Sequence, residues 1–310
     1  MPTIKPLKPE LQKIAREQLH EVPGRIDEDL QTFKSWIEQQ PHLKARTDDQ
    51  FLIQFLRGCK YSLERAKEKI ERYYTIRTKF PDKLGIYDVD NERFRETARL
   101  GCFTTLPVPL NETGCRILMY HFSYNPLEFT PVELFHPGVA IYDYLMIDDP
   151  YACICGTAFI LDMAKATMTH FLHVNFPLLK IMVTYLEKSL PMRIKALYLV
   201  NIPSTANNFL KMFLPLFSEK LRKRIFLCGS LDELKQHIPL KYLPKYYGGE
   251  NGTMEEHIQS LDAKFDEYRE YFKENAKYGT DETLRQGNAF DADEDNLFGM
   301  GGSFRKIEVD

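Results

Sequence analysis

From Asp27 to Gln39 the apolar side chains fall at Leu30, Phe33, Trp36 and Ile37, with charged and polar residues between them. Steps of three and four residues put them on one helical face. The "PHL" stretch that follows breaks the helix, because proline cannot continue it. At Thr47 a second run begins, "TDDQFLIQFLRGC", with a capping hydroxyl and two acids ahead of the apolar positions. Ser62 opens a third, which passes Glu64 and Glu68, reaches Tyr73, Tyr74 and Ile76, and stops at Pro81. Residues 8–80 are therefore predicted to be helical.

Beyond residue 100 the period changes. "RILMYHF" (116–122), "GTAFILDM" (156–163) and "IKALYLVNI" (194–202) are short apolar runs of strand character. Helical stretches at Pro131–Ile147, about Met168–Ser189 and Thr205–Phe217 separate them. Strands alternating with helices predict crossover connections and an α/β fold with helices packed on a sheet. From Thr253 to Tyr278 the chain is charged and helical, and from Gly279 it turns polar, Gly-rich and acidic. The expected organisation is a helical module over 1–95, an α/β domain over 96–252, and a charged helix with an acidic tail over 253–310.

Composition changes this picture little. The chain has 310 residues, 44% of them hydrophobic, enough for a sizeable core. A formal net charge of −3 argues against a general nucleic-acid binder, so any basic site must be local. The first residues carry no apolar signal core, and no apolar run reaches the ~18 residues of a membrane span. A cytoplasmic protein, working as a monomer, is the expectation. The six cysteines (Cys59, Cys102, Cys115, Cys153, Cys155 and Cys228) contain no C-x-x-C pair and are read as free, mostly buried thiols.

Tests for chemistry come out negative. There is no phosphate-cradling glycine loop and no G-x-S-x-G elbow. "DADED" at Asp291–Asp295 imitates a calcium loop, but Asn296 stands where the loop needs Gly and Gly302 where it needs Glu. His170 and His173 lie three apart with no third metal ligand spaced nearby. Asp148 and Asp149 are adjacent, do not share a face, and read as a turn. No catalytic residue, metal site or cofactor is assigned.

One stretch, Lys188–Gly229, sets positive charge beside apolar surface. Read as a helix, "SEKLRKRIF" places Lys220, Lys223 and Arg224 within about 100° of one another, apart from a stripe of Phe217, Leu221 and Ile225. Upstream, Arg193 and Lys195 are two apart at the start of a strand and project from one side. The spacing fits both a solvated face and a patch for an anionic headgroup. Between the clusters, Phe209, Met212, Phe213 and Leu216 recur at helical spacing, as in a core-facing helix or in a lid over a lipid pocket.

These blocks resemble the CRAL-TRIO lipid-binding family, nearest its tocopherol and retinaldehyde carriers. The likeness covers about residues 25–255. It rests on "DDQFLIQFLRGCKYSLERAKEKI", "FILDMAKAT", "SLPMRIKALYLVNIPSTANNFLKMFLPLFSEKLRKRI" and the closing "LPKYYGGE". The resemblance implies an N-terminal helical module, a mostly parallel sheet floor, and an apolar pocket closed by a gate helix at about Ser204–Phe217. It implies a carrier of a small hydrophobic ligand that docks transiently on phosphoinositide or another anionic membrane surface. The positions matching the family's headgroup cluster are Arg57, Arg193, Lys195, Lys220 and Arg224, all basic here. Lining candidates are Phe135, Tyr142, Thr157, Phe159, Leu161, Met182, Leu186, Ile194, Leu197, Phe209 and Phe213, with Tyr142 or Thr157 as the polar anchor. Phospholipid transfer and a ligand-dependent adaptor remain the alternatives; the former calls for a cation-lined pocket.

Overall fold

The computed structural model describes residues 3–86 and 88–286. Its leading elements are α1 (Pro9–Leu19), α2 (Ile26–Glu38), the short strand β1 (Leu43–Lys44), α3 (Asp49–Gly58), α4 (Leu63–Lys79), α5 (Pro81–Leu84) and α6 (Glu92–Arg99). In α2, Leu30, Phe33 and Ile37 are buried as their spacing predicts, and Trp36 stacks on Phe33 at the edge of that face. The cap of α3 is Asp48 rather than Thr47: its carboxylate accepts from the Phe51 amide at 3.0 Å. A carboxylate at this position also complements the helix dipole. Ser62 precedes α4 without a side-chain cap bond.

Strands β2 (Phe103–Thr105), β3 (Arg116–His121), β4 (Thr157–Asp162), β5 (Ile194–Val200) and β6 (Ile225–Cys228) pair in that spatial order. β2 is antiparallel to β3, and the other pairs are parallel. Helices α7 (Pro131–Asp148) and α8 (Pro150–Ile154) link β3 to β4, and α9 (Met168–Leu172) and α10 (Phe176–Thr184) link β4 to β5. α11 (Asn207–Phe213) and α12 (Glu219–Arg222) link β5 to β6.

Two predicted helices take a different form. The stretch 168–189 is broken where Asn175 caps α10, accepting from the Leu178 amide at 2.9 Å. It ends in a π-turn, Tyr185–Ser189. In "SEKLRKRIF" only Glu219–Arg222 is helical, and Ile225 starts β6 against Leu197. Pairing with a strand 28 residues away outweighs a local helical period, which no window on the sequence can register.

Alternation along the strands separates two faces. Ile117, Met119, Ala158, Ile160, Tyr198 and Val200 pack against Leu234 of α13 (Leu231–His237) and against Tyr242 and Leu243. Phe159, Leu161, Leu197 and Leu199 face α10 and the segment 206–217. A register shift between β4 and β5 passes over Lys195, so Ile194 pairs with Thr157 and Ala196 with Ala158. Such a bulge re-aims side chains at the end of a strand.

The segment expected as a charged extension returns to the N-terminal half. It contains α14 (Met254–Glu267), α15 (Arg269–Asn275) and β7 (Gly279–Thr280), which pairs with β1. Phe265 and Phe272 are fully buried in the core shared by α2, α3, α4 and α7. Arg46 donates to Glu274 at 2.9 Å and to Asn275 at 3.1 Å. A buried Arg77–Asp143 ion pair at 2.8 Å joins α4 to α7. All six cysteines are free, Cys115 half-buried and the rest buried. The Asp291–Asp295 run lies outside the described residues.

Candidate functional site

An apolar cavity of about 130 Å³ lies between the sheet and its helices. Tyr120, Phe159, Leu161 and Leu197 form its floor, and Phe135 and Tyr142 of α7 one wall. Leu179, Met182 and Val183 of α10, with Leu186 of the π-turn, form the other. Phe209, Phe213 and Phe217 roof it. These rings form a ladder: Phe171–Phe209 at 5.0 Å, Phe209–Phe213 at 5.2 Å and Phe213–Phe217 at 4.8 Å between centroids. The roof is therefore made of a few stacked aromatic side chains on a short helix whose outer face, at Asn207, Asn208 and Lys211, is exposed.

Of the lining candidates, Phe135, Tyr142, Phe159, Leu161, Met182, Leu186, Ile194, Leu197, Phe209 and Phe213 meet in this cavity. Thr157 does not; it is buried at the start of β4 and lies outside the lining. The lining also takes in Phe103, Tyr120, Phe122, Val174 and Phe217, which sequence reasoning passed over because their convergence depends on how β2, β3 and α10 pack. The Tyr142 hydroxyl has no hydrogen-bond partner among the described residues, and burial, with the nearby Tyr185, pushes its pKa well above the usual tyrosine value.

Behind one wall lies a second concavity, a cleft of about 310 Å³ lined by Lys60, Lys69, Arg193, Lys195, Lys220 and Arg224 together with Glu187. None of these six cations forms an ion pair among the described residues. Burial lowers the pKa of Arg193, and the neighbouring Arg224 lowers it further; burial, Arg193 and Arg224 do the same for Lys195. The cations thus crowd one another, with Glu187 the one carboxylate among the described lining residues, where its charge favours protonated Lys69. Arg224 donates to the Ile194 carbonyl at 2.7 Å, and Arg193 donates to the Ile154 carbonyl. The Arg193 Nε is buried without a partner. Lys69 spans the end of the π-turn, donating to the carbonyls of Lys188 at 3.2 Å and Leu190 at 3.0 Å. Leu186, Ile194 and Leu221 line both cleft and cavity, so the two share a wall.

Arg57 is not in the cleft. It is buried in an ion pair with Glu21 at 2.7 Å, and Tyr61 donates to the same carboxylate at 2.8 Å. Burial alone would raise the Glu21 pKa, but the Arg57 hydrogen bond and charge hold it below its ordinary value. The turn after Arg57 brings Lys60 to the cleft instead. Lys60 and Tyr61 both adopt the left-handed conformation, at φ 55° and 57°. Two consecutive non-glycine residues there carry a strain that the surrounding packing must hold.

Residues 111–249, from the β3 entry to the turn after α13, match the CRAL/TRIO domain, and residues 22–94 match a "Pinta-like, UBA domain". The chain thus carries a region similar to the CRAL/TRIO domain behind one similar to a UBA domain. It is 27% identical to mouse (Mus musculus) alpha-tocopherol transfer protein-like over 246 residues, 78% of this chain and 70% of that one. It is also 27% identical to human (Homo sapiens) clavesin-2 over 273 residues, 86% and 82% of the two chains. A crystal structure of Sfh5 aligns with 85% of this chain and 100% of its own, at 12% identity and a TM-score of 0.44. The roof and all of the cavity lining but Phe103 fall within the 111–249 match, whereas the cleft also takes Gly58, Lys60 and Lys69 from the 22–94 match.

Proposed function

We propose that this protein carries a small hydrophobic lipid, of tocopherol-, retinoid- or other isoprenoid-like size, and exchanges it at anionic membranes. The observation that carries the reading is the shared wall: an apolar cavity roofed by stacked phenylalanines adjoins a cleft of six cations that form no ion pair among the described residues. Buried apolar area stabilises a bound lipid by roughly 25 cal/mol per Å², so the cavity supplies affinity without covalent chemistry. At about 130 Å³ the closed cavity is small for such a lipid, since ligand pockets run to roughly 300–1,000 Å³. Loading therefore displaces the 207–217 segment and its phenylalanine ladder. Tyr142 offers the ligand's polar head a free hydroxyl.

The cleft takes a phosphoinositide headgroup, with Arg193, Lys195, Lys220 and Arg224 as its ligands and Lys60 at the rim. Each cation near an anionic surface contributes about 1 kcal/mol. Leu127 and Leu172 are 80% and 73% exposed, and Met168 and Phe176 are exposed with them, giving the protein apolar side chains to set against a bilayer. No helix among the described residues is long and apolar enough to cross a membrane, and the association proposed is peripheral and transient. The lipid cavity contains no cation, which favours this reading over phospholipid exchange, where a phosphate would have to be held inside.

Native mass spectrometry of the purified protein, with solvent extraction of what it holds, tests the proposal. One isoprenoid- or retinoid-sized molecule per chain is expected. A phospholipid at one per chain would move the assignment to phospholipid transfer. A protein that holds nothing and takes up no offered lipid would end the carrier reading and leave a ligand-dependent adaptor.

A further inference from the structure

Among the described residues Glu187 is the one carboxylate lining the basic cleft, and it forms no ion pair with the cations there, although its charge favours protonated Lys69. Instead it faces Ser218. The Ser218 amide donates to one carboxylate oxygen at 3.0 Å, and the Ser218 hydroxyl donates to the other. Ser218 joins the roof to α12, whose N-cap it is: the preceding residue, Phe217, is buried, lines the cavity and packs edge-on against Phe213. Two and six residues beyond Ser218 come Lys220 and Arg224 of the cleft. Glu187 itself sits on the π-turn, next to Leu186, which lines both cavity and cleft. An extra residue in a helical turn costs regular hydrogen bonding and often marks a functional position. Here it lets one turn send an apolar side chain into the cavity and a carboxylate to the cleft.

Resting on the carrier reading above, we propose that Glu187 is a positioning residue that latches the roof through Ser218 until an anion enters the cleft. Two physical effects oppose coexistence of latch and anion. A phosphate held by Arg193, Lys195, Lys220 and Arg224 would share one cleft with the Glu187 carboxylate, so like charges repel. Phosphate oxygens also accept hydrogen bonds, and Ser218, two residues before Lys220, presents the two donors that now face Glu187. An anion thus exchanges with Glu187 for Ser218, and Phe217 loses its tether. The coupling is reciprocal: whatever closes the roof weakens anion binding by the same factor that the anion weakens closure.

Hydrogen exchange on the full chain reads the latch without needing the lipid ligand. The probe is the soluble headgroup inositol 1,4,5-trisphosphate. In the wild-type protein the amides of 209–218 are expected to exchange roughly tenfold faster at saturating probe, the effect of losing about one charge-assisted hydrogen bond. Glu187→Ala should exchange at that faster rate without probe, with the probe adding little, and Ser218→Ala, which keeps the amide donor, should exchange faster than wild type but by less. Glu187→Gln, which keeps shape and one acceptor, should fall between. Unchanged protection in β4 and β5 shows that the variants fold. Wild-type exchange rates in both alanine variants would overturn the latch. Fast variants beside a wild type that ignores the probe would overturn the coupling to anion. Neither result touches the carrier reading, which stands or falls on the lipid stoichiometry measured by mass spectrometry.

Discussion

Arg57 and Arg193 carry the same charge into opposite roles. Arg57 is locked in a buried pair with Glu21, so removing it leaves a buried carboxylate without its cation, held by hydrogen bonds from Tyr61 and Gln12. Breaking such a pair costs about 3–5 kcal/mol. Arg57→Ala is therefore expected to lower the denaturation midpoint strongly while the folded fraction keeps its affinity for anionic vesicles. Arg193→Glu with Lys195→Glu should do the reverse, weakening vesicle binding by about 2 kcal/mol or more, in a salt-dependent way, with a small change in stability. Comparing thermal melts with vesicle sedimentation for the two variants separates the roles. Tyr142 gives a second residue-scale expectation. Its hydroxyl has no hydrogen-bond partner among the described residues, so Tyr142→Phe should leave stability near wild type and reduce affinity for a ligand with a polar head by about 1 kcal/mol. A marked loss of stability in calorimetry would assign that hydroxyl to the core instead.

Among elements, the end of α3 and the loop before β5 are set by how closely they approach. A methyl group on Gly58 would lie 1.9 Å from the Pro191 carbonyl oxygen, which is backbone and cannot swing aside. At Gly156, where φ is +89°, a methyl would meet the Arg193 carbonyl at 2.3 Å. These two glycines let the helical module and β4 close on the segment that carries Arg193. Gly58→Ala is expected to cost about 1–3 kcal/mol in denaturant unfolding. By displacing Pro191–Arg193 it should also weaken trisphosphate binding in titration calorimetry. Retained binding at full strength would show that the cleft tolerates a shift of this loop.

For the whole molecule, the joint between the ends of the chain is electrostatic as well as apolar. Asp148, the last residue of α7, pairs with Lys5 ahead of α1 and with Lys264 of α14, both at 2.7 Å. Burial opposes its ionisation, but hydrogen bonds from Lys264 and Lys5 win and bring its pKa down to about 2 from the ordinary 3.8. A carboxylate with a depressed folded pKa stabilises the fold above its unfolded value and loses that contribution as pH falls through the folded one. Stability is thus expected to drop between about pH 4 and pH 2 through this group. Asp148→Asn should flatten that part of the pH profile in acid melts; an unchanged slope would place the acid sensitivity elsewhere.

Local pattern sufficed wherever a contact is near in sequence or a strand alternates. The face of α2, the three central strands, the apolar lining on β4 and β5, and the run of basic positions at 193–224 could all be read from spacing, because side-chain direction follows the helical and strand periods. Family likeness then joined them into one site. Only the tertiary structure decided the rest. It made Ile225–Cys228 a strand, because β5 offers its backbone a partner. It turned Phe265 and Phe272 into core residues of the N-terminal half. It hid Arg57 behind Glu21 and brought Lys60 and Lys69 to the cleft. It set Glu187 against Ser218. Each of these depends on which distant segment lies within hydrogen-bond or Coulomb reach, and separation along the chain carries no measure of that distance.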